Sequence, residues 1–144
     1  MGDNVITYEV IYEFLRKEKY EPELQKLPGS FFPDVIEYLK EKQSILDTQK
    51  SQESIFSSET GKIEKQIQNV KKILRELYER RENKIVQLTL FSSRTETPVD
   101  LSNLTPEERD FYNNTLDIFN LYRKGVLFNL LSLKPPKLTK SKDI

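Results

Sequence analysis

The stretch from Ile63 to Phe91, IEKQIQNVKKILRELYERRENKIVQLTLF, decides the fold. Ile63, Ile67, Val70, Leu74 and Leu77 alternate steps of four and three against a highly charged background. That spacing describes one long helix with a narrow apolar seam. Where the seam should continue it meets Arg81 and Lys84, and it resumes with Ile85, Leu88 and Leu90. A long helix with a polar break in its seam predicts a built interface rather than a pocket.

Upstream, a first helix is expected from about Thr7 to Tyr20, with Tyr8, Ile11, Phe14 and Leu15 on one side. Thr7 is its N-cap and the Pro22 region its end. Leu27-Pro28-Gly29-Ser30 reads as a turn, and Ser30 or Pro33 opens a second helix carrying Phe31, Phe32, Val35, Ile36, Tyr38 and Leu39. From Asp47 to Thr60 the chain turns polar and serine-rich, interrupted by Ile55 and Phe56. This segment is expected to connect the helices, with helical extension at either end.

Downstream, Ser92 to Asn103 has no helical period and reads as a second loop. Thr105-Pro106-Glu107-Glu108 then marks a helix start: threonine caps, proline suits the first helical position, and Glu108 completes a capping box. Phe111, Tyr112, Thr115, Leu116, Phe119 and Tyr122 form that helix's stripe. Gly125 marks either its end or a weak point within a longer helix. Val126 to Leu133 is nearly continuous in apolar side chains and stops at Pro135-Pro136, and its leucine content favours helix over strand. The basic tail from Lys134 to Ile144 has little to bury and is expected to be extended or disordered. Together these signals predict an all-α helical bundle over residues 1–133, with one long central helix and a basic C-terminal tail or linker over 134–144.

Composition narrows the chemistry. The chain has no cysteine and no histidine, which excludes Cys/His zinc sites, disulfides and thiol nucleophiles and removes the commonest neutral-pH general base. Paired carboxylates such as Glu107-Glu108 are explained by the helix start they occupy. The reading therefore assigns no catalytic residue, metal or cofactor, and no enzyme activity. Charged residues make up 32% of the chain with a formal net charge of +0, so any general attraction to nucleic acid is weak. No apolar run approaches the roughly 20 residues of a membrane span, and the N-terminus lacks a secretory pattern, so a cytoplasmic protein is expected.

The order of these signals resembles the GINS family. Leu27-Pro28-Gly29-Ser30-Phe31-Phe32, followed by Val35, Tyr38 and Leu39, looks like the opening of that family's second helix. The run Leu77-Tyr78-Glu79-Arg80-Arg81-Glu82-Asn83-Lys84-Ile85 is similar to its arginine-bearing helix, and Leu104-Thr105-Pro106-Glu107-Glu108 with Phe111-Tyr112 to the start of the next. The likeness covers about Leu27 to Arg123 and is nearest to archaeal subunits of the Sld-five and Psf-one type. It implies a noncatalytic scaffold of the replisome, in a heterotetramer with a second GINS subunit type. Such a tetramer ties the MCM helicase to a Cdc45 or RecJ-like partner at the replication fork. Family members usually carry a second, small, β-rich domain, and nothing after Leu133 is patterned to form it. Either the subunit naturally lacks that domain or the sequence is truncated.

Tyr8, Phe14, Phe31, Phe32, Phe111 and Phe119 have the spacing of core residues. Arg80 and Arg81 have two readings: a solvated face paired with Glu76, Glu79 and Glu82, or bidentate contacts to a neighbouring subunit's carboxylate. The Val126 to Leu133 run is either the last layer of the subunit's own core or an association patch. The candidate subunit-interface residues are Arg80, Arg81, Tyr122, Leu127, Phe128, Leu130 and Leu131. The rival functions are a nucleic-acid-binding module, based on the basic residues of the long helix and tail, and an unrelated coiled-coil adaptor.

Overall fold

The structure is a computed structural model and describes residues 6–51 and 57–139. Its helices are α1 (Tyr8–Tyr20), α2 (Phe31–Ser51), α3 (Ser57–Thr95) and α4 (Pro106–Tyr122). A π-helical segment, Arg123–Phe128, follows α4 and leads into a closing α turn, Asn129–Leu131. No strand occurs among the described residues. The chain divides into two compact units, Met1–Arg81 and Glu82–Ile144, so the boundary falls inside α3.

In the first unit, the Thr7 hydroxyl accepts from the Val10 N–H at 3.2 Å and starts α1 as expected. The Phe31 N–H donates to the Pro28 carbonyl at 2.9 Å and the Asp34 N–H to the Ser30 carbonyl at 2.8 Å, which closes the Leu27–Ser30 turn and opens α2. The core joins Ile11 and Leu15 of α1, Leu27 of the crossing, Phe31 and Val35 of α2, and Val70, Ile73 and Leu77 of α3. The Phe14 ring lies 4.6 Å from that of Phe31. Phe32 departs from the core reading: it is 43% exposed and only edges onto Phe31 at 5.2 Å, because the next helical position points its ring away from the core side of α2. Ile36, one turn on, is exposed as well.

Between Asp47 and Thr60 the expected helical extensions are present at both ends, since α2 runs through Ser51 and α3 begins at Ser57. Buried Leu46 anchors the last turns of α2. Polar pairs then link it to α3, with Lys50 on Glu64 at 3.0 Å and the Thr60 hydroxyl donating to Gln49 Oε1 at 3.2 Å. Ile55 and Phe56 lie outside the described residues.

In the second unit, α3 continues past Ser92, where a loop was expected, to Thr95. Its later polar side chains turn back onto the backbone, Thr89 Oγ1 on the Ile85 carbonyl and Ser92 Oγ on the Thr97 carbonyl, so they can be buried in the helical stripe without losing partners. Glu96 then leaves the helix with φ 57°. The expected capping box is present: Glu108 N–H donates to Thr105 Oγ1 at 3.2 Å, Thr105 N–H donates to Glu108 Oε1 at 3.0 Å, and Pro106 occupies the first turn. Leu104 and Tyr112 are buried here, while Phe111 and Phe119 are half-buried.

The far end of this unit is built around Gly125, which lies within a continuing helical run at the point where it turns π-helical. The glycine is buried inside the π-helical segment, and an added Cβ would lie 2.7 Å from both Leu138 Cδ2 and the Lys137 carbonyl oxygen. The Gly125 carbonyl accepts from the Lys137 N–H at 2.8 Å and from Asn129 Nδ2 at 3.0 Å. Over residues 134–139 the tail is extended, as one of its two expected forms, and is laid as a strap across Gly125. The helix closes with a Schellman motif in which the Lys134 N–H donates to the Asn129 carbonyl at 2.7 Å and the Leu133 N–H to that of Leu130 at 3.0 Å. Leu133 occupies the left-handed position of this motif, with φ 61°. Lys140 and Lys142 lie outside the described residues.

Candidate subunit interface

The polar break in α3 is filled from inside the chain. Ile67, Val70, Ile73 and Leu77 form the buried stripe, and Arg81, one turn beyond Leu77, stays on it with 2% of its side chain exposed. Its Nη1 donates to Glu18 Oε1 at 2.8 Å and to the Gln25 carbonyl at 2.7 Å. Gln25 closes the network, its Nε2 donating to Glu18 Oε1 at 2.8 Å and to the Phe14 carbonyl at 2.6 Å. Three elements meet at one guanidinium: the last turn of α1, the crossing to α2, and α3. Arg81 is thus paired with a carboxylate of its own chain, and neither sequence reading named that partner. Glu18 could have been found, because it continues the buried stripe Ile11, Leu15 of α1 at a step of three, a place where a lone carboxylate requires a cation.

Arg80 faces outward and bonds Glu76 Oε2 through its Nε at 2.9 Å, with both side chains well exposed. Such a helix-surface pair contributes about 0.3–0.5 kcal/mol and leaves the arginine available to solvent.

The other candidates all lie in the second unit. Tyr122, Leu127, Phe128, Leu130 and Leu131 are exposed, Leu131 at 72%. Leu127, Leu130 and Leu131 stand three and four residues apart and so neighbour one another on the helix. Ile118 on α4 and Leu133 beyond it are exposed too, the latter at 94%. Within the single chain Gly125 is buried, while exposure of the large side chains rises along the run from 39% at Leu127 and Phe128 to 94% at Leu133.

Beside Phe128 lies a cavity of about 450 Å³ between the end of α3 and the end of α4. The Ser93 hydroxyl donates to Asn120 Oδ1 at 2.7 Å, and Arg123 Nε donates to Ser93 Oγ at 3.4 Å. Lys124 and Glu96 also line it. Sequence reading passed over these side chains, because each is an unremarkable polar residue until the fold brings helix positions 27 and 30 residues apart together.

The Sld5 family model, described as the GINS complex protein helical bundle domain, matches residues 5–127. The match takes in α1 to α4 and stops at Leu127, so Phe128, Leu130 and Leu131 lie just past it. No curated protein and no solved structure matches the chain.

Proposed function

The chain belongs to the GINS family through its helical bundle domain, and from that premise we propose that it is a noncatalytic scaffold subunit whose apolar end, Tyr122 and Leu127 to Leu133, receives a second GINS subunit. In this reading the assembled complex links the MCM helicase to a Cdc45 or RecJ-like partner during DNA replication. In the same reading residues 134–139 begin a tail or linker that follows the helical domain.

One observation carries the interface. Leu133 stands at the left-handed position of the helix cap, where a Cβ is unfavourable by about 1–2 kcal/mol and glycine is the usual occupant. It is also 94% exposed, so its side chain recovers almost nothing within its own chain. A leucine held there against both costs fits burial by a partner. The exposed leucines and Phe128 beside it extend the same apolar surface. No helix among the described residues is long and apolar enough to cross a membrane, so a bilayer-spanning role for this surface has no support.

The test is co-expression of the full chain with a second GINS subunit, MCM and a RecJ-like protein, with masses of the complexes read by light scattering. A stoichiometric complex with the second subunit is expected, and Phe128→Ala should weaken it by about 2 kcal/mol or more. An unchanged complex with this variant would remove the proposed surface.

A further inference from the structure

We infer that the cavity between the ends of α3 and α4 is a seat for a carboxylate brought by the partner subunit, an aspartate or glutamate bordered by apolar residues. The inference rests on the interface reading above and names the chemistry that the interface requires. Its ground is an accounting of hydrogen-bond donors. Among the described residues Arg123 uses only its Nε, in a long bond to Ser93, and neither of its Nη groups has an acceptor. Asn120 receives the Ser93 proton on Oδ1, and its Nδ2 has no acceptor among the described residues either. Lys124, which also lines the cavity, makes no ion pair among the described residues.

In the free chain these donors are satisfied by water. Phe128, however, is both a wall of this cavity and a member of the exposed apolar surface. A partner that covers Phe128 therefore closes the cavity and strips water from the Arg123 and Asn120 donors. Buried donors left without acceptors would oppose association, and a guanidinium left unpaired would oppose it most. A carboxylate meets the need: it accepts two parallel bonds from the Arg123 fork, with lone pairs remaining for Asn120. Charge agrees, since among the described residues lining the cavity Arg123 and Lys124 outnumber the acidic Glu96. Glu96 forms no ion pair with either cation, so it does not fill the seat itself and instead repels an incoming carboxylate.

The experiment titrates the second GINS subunit against the full chain and four variants, with thermal melts confirming that each folds. Arg123→Ala is expected to weaken association about 30-fold or more, as for loss of one member of a buried interfacial charge pair. Arg123→Lys should recover only part of the loss, because it keeps the charge without the fork. Glu96→Gln should tighten binding, and that opposite sign separates the partner's carboxylate from Glu96 as the acceptor: weaker binding by this variant would overturn the proposal. If Phe128→Ala weakens assembly while Arg123→Ala and Arg123→Lys bind as the wild type does, the carboxylate seat is refuted and the interface stands. If all four variants bind normally, the interface reading falls and the seat with it. Substituting each acidic residue of the partner by lysine against Arg123→Glu then identifies the carboxylate by restored binding.

Discussion

At Arg81 the decisive quantity is the cost of a charge without a partner. Glu18 and Arg81 are both essentially enclosed, so the net gain from their attraction is small against their desolvation, yet removal of one leaves the other buried and uncompensated. Arg81→Met should therefore destabilise the protein by about 3–5 kcal/mol in urea unfolding. Pairing it with Glu18→Leu should recover part of this but not all. The Gln25 carbonyl loses the donor it now has, and a buried orphan of that kind costs about 1–3 kcal/mol. Additive losses in the double variant would mean that the two side chains do not act as a pair. Leu133 presents the reverse case. Leu133→Gly relieves the left-handed backbone and should raise stability by about 1 kcal/mol, while weakening assembly with the second GINS subunit. A variant that loses stability instead would show that the leucine side chain already has a role within the isolated chain.

At the scale of elements, the sequence exposes what depends on neighbours along the helix and conceals what depends on the fold. The seam of α3, the Thr7 cap of α1 and the capping box of α4 are all local patterns, and each is present where the residues place it. Arg81 looked like an interruption because its partner is 63 residues away, on an element whose own stripe hides a carboxylate among apolar positions. The end of α3 lies beyond the expected loop start for a related reason. Ser92 and Ser93 are loop-like in composition, but their hydroxyls find acceptors on Thr97 and Asn120, which makes one more helical turn tolerable. The strap is the least legible feature, since no periodicity announces that residues 137 and 138 return to Gly125. Alanine at an exposed helical glycine would add about 1 kcal/mol of helix propensity. Here its Cβ would meet the Lys137 carbonyl at 2.7 Å, a backbone atom that cannot rotate away, so Gly125→Ala should lift the strap. Hydrogen exchange would report this as faster exchange of the Lys137 amide with the α4 amides unchanged. Continued protection of Lys137 would refute the packing argument.

For the molecule as a whole, the question is whether the exposed apolar end serves stability or association, and the two roles separate cleanly at Leu131. With 72% of that residue exposed, the chain gains little from its side chain, and a surface substitution away from a packed site usually changes stability by no more than about 0.5 kcal/mol. Leu131→Glu should accordingly melt within about 1–2 °C of the wild type, by the about 2–4 °C per kcal/mol that relates stability to midpoint in chains of about this length. Placed under a partner, the same carboxylate would be buried in an apolar surface with no cation assigned to it, and the complex with a second GINS subunit should be lost. The net charge of +0 leaves the isolated wild-type chain without strong self-repulsion, so its apolar end should also drive concentration-dependent association that Leu131→Glu suppresses. Sedimentation of both proteins alone and with the second subunit distinguishes the outcomes. A lowered melting point would return Leu131 to the subunit's own core, whereas a stable variant that still assembles would move the interface to another face of the bundle.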